Sequence, residues 1–135
     1  MNRLLIVTHS TLAQGLYETL SFFMGKLDNV EYINAYVENN DIRVVFENKI
    51  QSYGYDNVIV LTDIPGGSVN QIAMELMPKY GYHLVTGTNL SMVLELALKQ
   101  NELSNEEIKE IVDNSRNNVL YMNDLSIAST ENDDL

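Results

Sequence analysis

Two short runs, "RLLIV" at 3–7 and "DNVIVLTD" at 56–63, stay apolar through their centres instead of alternating with polar residues. A strand with water on one face alternates, so an unbroken run marks a strand covered on both faces. Both runs are far too short to span a bilayer. Each gives way to turn residues and then to helical spacing. After the first, Leu12, Leu16, Leu20 and Phe23 share one face of a helix predicted over 11–24, with Ser10 or Thr11 placed to cap it. After the second, "IPGG" leads into a helix expected from Ser68 to Tyr80.

The alternation continues along the chain. "VEYINAY" at 30–36 reads as a strand, and Asn39 to Asp41 offers caps for a helix to Tyr53 with Ile42, Phe46 and Ile50 in register. "YHLVTG" at 82–87 reads as a fourth strand. The helix expected over 90–100 is apolar nearly all round, so it should be sandwiched, within the chain or against another subunit. "SNEE" at 104–107 is a capping-box signature for a helix to Asn117, and "VLYM" at 119–122 is a candidate last strand. Strands alternating with helices over 135 residues imply one α/β domain, a mostly parallel sheet with helices on both faces. That domain is expected to occupy 1–123, with 124–135 as an acidic, frayed tail.

Composition removes several classes of function. Eight basic against 19 acidic residues give a net charge of −11, which argues against nucleic-acid binding and either steers a partner with a basic patch or is simply a solvated acidic surface with no specific partner. The absence of cysteine excludes disulfides, thiol catalysis and thiolate metal sites. "MNRLLIV" lacks the basic segment, long apolar region and cleavage site of a secretory signal. A cytoplasmic protein without membrane insertion is the expectation.

In open parallel sheets, ligands bind at the carboxyl ends of strands, where the strand order reverses. If the order begins 2-1-3, as in flavodoxin-like folds, strands 1 and 3 are neighbours at that point. Strand 1 ends at Thr8-His9 and strand 3 at Thr62-Asp63, so one of only two histidines would face an aspartate. A carboxylate that accepts one imidazole N–H fixes the tautomer and leaves the other ring nitrogen as a nucleophile. The plainer alternative is a His–Asp hydrogen bond that only ties two loops together. Beside the pair, Gly66 and Gly67 permit a sharp turn that presents N–H groups, and Ser68 opens a helix whose positive end favours an anion. A phosphate next to His9 would be well placed, which points to phosphohistidine chemistry.

Other readings fit less well. His9, Asp63 and a remote His83 are too few for a metal site, and His83 is expected to be a packed structural residue. Ser68 in "GGSVN" does not match the G-x-S-x-G nucleophile elbow of hydrolases. A response-regulator receiver would need an acidic pair after strand 1, where Thr8-His9 stands. A flavin-binding module using "THST" as a phosphate loop is a remote alternative, and its protein would be yellow.

Three separated motifs, "VTHSTLAQGL", "VLTDIPGGSVNQIA" and "LVTGTNLSMVLELAL", resemble the enzyme IIA domain of the mannose/fructose/sorbose class. Such domains belong to the bacterial phosphoenolpyruvate-dependent sugar phosphotransferase system, and the resemblance covers residues 3–117. It implies a flavodoxin-like sheet of order 2-1-3-4, phosphorylation of His9, an assisting Asp63, and phosphoryl contacts from Gly67 and Ser68, beside the Gly66 that the turn itself puts forward. The implied donor is the histidine-phosphocarrier protein and the implied acceptor enzyme IIB, with enzymes IIC and IID carrying the sugar through the membrane. No cofactor is called for. The resemblance also implies a homodimer with an exchanged C-terminal strand, for which 119–122 is the candidate. Three departures stand out. Many members have glycine where Ser10 stands, an aromatic residue where Pro65 stands, and proline where Val69 stands. Ser10, Thr11 and Pro65 are the expected rim of the pocket. Ser10 is also similar to the phosphotransfer subunit of dihydroxyacetone kinases, an alternative reading of the chain.

Overall fold

The structure, a computed structural model, describes residues 1–37 and 41–125. Four strands, β1 (Asn2–His9), β2 (Val30–Ala35), β3 (Asn57–Thr62) and β4 (His83–Val85), form one sheet in the order β2-β1-β3-β4. Every neighbouring pair is parallel. Helices α1 (Leu12–Met24), α2 (Ile42–Ser52), α3 (Ser68–Tyr80), α4 (Leu90–Leu98) and α5 (Asn105–Arg116) make the connections.

The unbroken apolar runs are explained by which face each residue takes. Leu4 and Ile6 of β1, with Ile59 and Leu61 of β3, pack against α1, α4 and α5 through Leu20, Val93, Leu96 and Ile108. Their neighbours Leu5, Val7 and Val60 point the other way, onto α2 and α3 through Phe46, Ile50, Val69 and Ala73. One side chain in two therefore feeds each core, as the two-residue period of a strand requires. Leu4, Leu5, Ile6, Ile59, Val60 and Leu61 are fully buried, and each such side chain contributes about 1.5–3 kcal/mol of transfer free energy.

The apolarity of α4 is met inside the chain except at Leu98, which is exposed. Met92, Val93 and Leu96 join the core that α1 and α5 complete, while Leu90, Leu94 and Ala97 pack partly buried against it. At the opposite pole from the strands' carboxyl ends, the buried Asn2 ties the α4–α5 connection to the sheet. Its amide donates to the carbonyls of Asn101 (2.7 Å) and Lys99 (3.4 Å), and its Oδ1 accepts from Leu103 N (3.0 Å) and Asn57 Nδ2 (2.9 Å). His83 joins this cluster through Nε2 to Asn57 Oδ1 at 3.1 Å, and burial lowers its pKa. It is the packed structural histidine expected, at the end of the sheet away from His9.

Two expectations are corrected. Thr11 occupies the cap position of α1 without a side-chain bond. Thr8, still within β1, accepts the Ala13 N–H at 2.7 Å instead, and Asn34 of β2 accepts that of Gln14 at 3.2 Å. The tight β1–α1 turn carries the helix start back over the strand ends, so strand residues reach the orphan N–H groups first. The segment 119–122 is not a strand in the single chain. Residues 119–121 are irregular and 122–125 form one helical turn. A strand needs a hydrogen-bonded neighbour, and this segment pairs with none of the four strands described. Val119, Leu120, Tyr121 and Met122 are all exposed. The tail expected at 124–135 lies outside the described residues from 126 onward. At Ser104 the capping box is complete, with Glu107 N donating to Ser104 Oγ (3.2 Å) and Ser104 N to Glu107 Oε1 (3.0 Å).

Candidate functional site

β1 lies between β2 and β3, so its carboxyl end is where the strand order reverses, and His9 is its last residue. Asp63 follows β3 directly. One oxygen of its carboxylate, Oδ2, accepts two donors from the same residue: the main-chain N–H of His9 at 2.9 Å and the ring Nδ1–H at 2.8 Å. The other, Oδ1, accepts the N–H of Ile64 at 3.1 Å. Burial on its own would raise the Asp63 pKa, but these hydrogen bonds outweigh it and hold the carboxyl below its ordinary value. The aspartate is therefore an anion that only accepts.

That choice sets the imidazole. With Nδ1 as the donor, Nε2 carries the lone pair and faces Ser68 Oγ at 3.3 Å. The Asp63 side chain is 10% exposed and that of His9 38%, so the carboxylate is sheltered while the ring opens to solvent.

Beyond the ring stands the start of α3. Gly66 turns the chain with φ +80°, a left-handed conformation that L side chains rarely adopt. Gly67 caps the helix with extended backbone, and its requirement is space: a Cβ there would meet Ile64 Cγ1 at 3.1 Å and His9 Cε1 at 3.2 Å. Gly67 N reaches back to Ile64 O at 3.5 Å, and the next N–H to reach a carbonyl is that of Gln71, to Gly67 O at 2.9 Å. The N–H groups of Ser68, Val69 and Asn70 thus stand at the open, positive end of the helix, beside Nε2. Asn70 accepts from Thr62 Oγ1 at 2.8 Å, which ties this turn to the end of β3.

The structure brings together His9, Asp63, Gly66, Gly67 and Ser68, as expected. Ser10, Thr11 and Pro65 are exposed on the adjoining turns, the expected rim. Val69 is not on it: its side chain is buried in the core with Val7 and Val60.

Two neighbours were not anticipated in these roles. Ser10 and Tyr36 have φ of +55° and +67° and are the only non-glycine residues with positive φ among those described. They follow β1 and β2 on either side of His9, and Ser10 N still donates to Ala35 O at 3.0 Å. A left-handed non-glycine residue costs about 1–2 kcal/mol. This accounts for the glycine that many members of the resembling family carry after the histidine. Ser10→Gly is expected to raise stability by about 0.5–1 kcal/mol, read as a higher Tm, because relief of strain exceeds the added chain entropy. A lower Tm would remove the strain account.

Tyr36 completes the site. Its hydroxyl is 2.8 Å from Ser68 Oγ, and its ring lies 5.6 Å from the imidazole, centroid to centroid, tilted by 35°. Nothing in the scatter of eight tyrosines marks it. The usable signal is its place two residues past Asn34, at the exit of a strand that neighbours β1.

Over residues 3–115 the chain matches the family described as PTS system fructose IIA component. It belongs to that family, and is a IIA component of the mannose/fructose class of the sugar phosphotransferase system, a phosphotransferase subunit. Solved structures agree. A PTS IIA protein associated with the fucose utilization operon from Streptococcus pneumoniae is 28% identical, with a TM-score of 0.81 over 91% of this chain and 94% of that one. The EIIA component from Streptococcus agalactiae is 25% identical, with a TM-score of 0.80 over 91% and 98%. A mannose/sorbose-specific IIA subunit from Enterococcus faecalis, 21% identical, shares the fold with a TM-score of 0.81 over 88% and 92%. No curated protein sequence matches the chain. The dihydroxyacetone-kinase reading raised by Ser10 is not favoured. As a IIA component the chain works with phosphocarrier and IIB partners, and among the described residues no helix is long and apolar enough to cross a membrane.

Proposed function

We propose that the chain carries a phosphoryl group on Nε2 of His9, taken from the histidine-phosphocarrier protein and passed to a matching enzyme IIB, with enzymes IIC and IID downstream. The observation that carries this reading is the double acceptance by Asp63 Oδ2 of the His9 N–H and the ring Nδ1–H. It leaves one nitrogen as the nucleophile and holds the ring's angle through the backbone as well as through the side chain.

In the transfer, the Nε2 lone pair forms the new N–P bond as the donor's N–P bond breaks. That electron pair returns to the donor's imidazole nitrogen. His9 keeps its Nδ1 proton and becomes positively charged, and the ionised Asp63 stabilises that charge. Ser68 Oγ and the N–H groups at the start of α3 are placed to meet the phosphoryl oxygens. The test is labelling with phosphoenolpyruvate, enzyme I and the phosphocarrier protein. The expected label is acid-labile and base-stable and maps to the peptide containing His9. An acid-stable label on Ser68 would overturn the assignment.

The same reading includes a homodimer that covers 119–122 with a partner's surface. Four consecutive exposed apolar side chains at that segment support it. Equilibrium sedimentation should give twice the chain mass, and a monomer at micromolar concentration would count against it.

A further inference from the structure

We propose that Tyr36 is a positioning residue of the phosphoryl site, acting through Ser68. Its phenolic hydroxyl holds Ser68 Oγ so that the serine proton faces first Nε2 and then an incoming phosphoryl oxygen. This rests on the reading that His9 carries the phosphoryl group.

Donor and acceptor roles run in one direction from Asp63. The carboxylate only accepts, so Nδ1 donates to it and Nε2 must accept. The group within reach of Nε2 is Ser68 Oγ at 3.3 Å, whose proton is spent on that lone pair. Ser68 Oγ then has lone pairs free, and the hydroxyl 2.8 Å away, Tyr36 Oη, donates to one of them. When phosphorus takes the Nε2 lone pair, the Ser68 proton swings to a phosphoryl oxygen. No proton leaves either hydroxyl, and the tyrosine keeps the serine from rotating away. The imidazole is bounded on the same side by the Tyr36 ring.

A packing role does not account for this residue. Tyr36 belongs to neither core cluster, is 41% exposed, and sits in a left-handed conformation that a tyrosine adopts at a cost. Strain of this kind persists where surrounding contacts over-determine it and is concentrated at functional sites. Here the contacts that hold it are with His9 and Ser68, two members of the site.

The experiment compares the parent with Tyr36→Phe, Ser68→Ala and the double variant. It measures kcat/KM for transfer from the phosphocarrier protein and the half-life of the phosphorylated form. Tyr36→Phe keeps the ring beside His9 and is expected to slow transfer about 3–10-fold, the loss of one neutral hydrogen bond, and to shorten the half-life. In the Ser68→Ala background it should have no further effect, because the tyrosine acts through the serine. A parental rate and half-life in Tyr36→Phe, or two single losses that multiply in the double variant, would overturn the positioning role while leaving His9 as acceptor. A parent that takes no label at His9 would instead overturn the phosphoryl reading, and this role with it.

Discussion

Replacing His9 with alanine is expected to abolish acid-labile phosphorylation, a loss of at least about a thousandfold in transfer rate. The nucleophile is one nitrogen, and the neighbouring hydroxyls of Ser68 and Tyr36 cannot replace it. A serine or tyrosine oxygen becomes nucleophilic only when a base takes its proton, and the group within reach of Ser68 that accepts a proton is the imidazole being removed. The fold should survive. The His9 side chain is partly exposed, and Asp63 keeps the main-chain N–H of residue 9 and that of Ile64. The one lost hydrogen bond, to an ionised carboxylate, costs about 1.5–3 kcal/mol, which a domain of this size tolerates. Labelling assays beside far-UV circular dichroism separate the two effects. A folded His9→Ala protein that labels as well as the parent would falsify the assignment.

Asp63→Asn has the next largest expected effect, because an amide cannot satisfy the donors that converge on the carboxylate. Oδ2 takes two N–H groups from His9 while Oδ1 takes that of Ile64. An asparagine must turn its NH2 toward one of these sets. If it faces His9, the ring adopts the other tautomer and Nε2 loses its lone pair. If it faces Ile64, the turn into Gly66 and Gly67 is disturbed. Either way the charge that stabilises the phosphorylated imidazole is gone. Loss of a hydrogen bond to a charged group is worth about 1.5–3 kcal/mol, so transfer should slow roughly 10–150-fold. The substitution also has a pH signature. Because the folded-state carboxyl lies below its ordinary value near about 3.9, Asp63 stabilises the fold above that value, and the contribution is lost as pH falls through the lower folded value. The stability gap between parent and Asp63→Asn, from urea unfolding, should therefore be wider at about pH 7 than at about pH 3. An unchanged transfer rate would return Asp63 to a purely structural part.

β1 and β3 were legible because their apolar runs serve two cores at once, and the start of α5 because a capping box is a local, reciprocal device. α3 begins and ends where Gly67 and Gly81 set it. What was not legible depended on contacts between distant segments. The cap of α1 comes from Thr8 and Asn34, not from the hydroxyls nearest the helix in the chain. A β-like tetrapeptide at 119–122 remains unpaired because strand formation depends on a neighbour, which composition does not reveal. The site was legible wherever topology alone sufficed: a parallel sheet of order 2-1-3-4 brings His9 and Asp63 together whatever lies between them. Tyr36 escaped notice because its role comes from a backbone turn past β2 that aims the ring sideways, and no spacing rule encodes that turn.

The cradle around Nε2 is made of hydroxyls and backbone N–H groups, and among the described residues none of the eight lysines and arginines hydrogen-bonds or pairs with it. A phosphoryl group arriving there brings about two negative charges next to an ionised aspartate, on a chain already at −11. In the proposed phosphorylated state the one full countercharge is the imidazolium, which Asp63 already neutralises, so the phosphoramidate would be held by geometry while coulombic repulsion raises its transfer potential. On the proposed reading, a carrier built this way is a shallow trap whose load passes readily to the next protein.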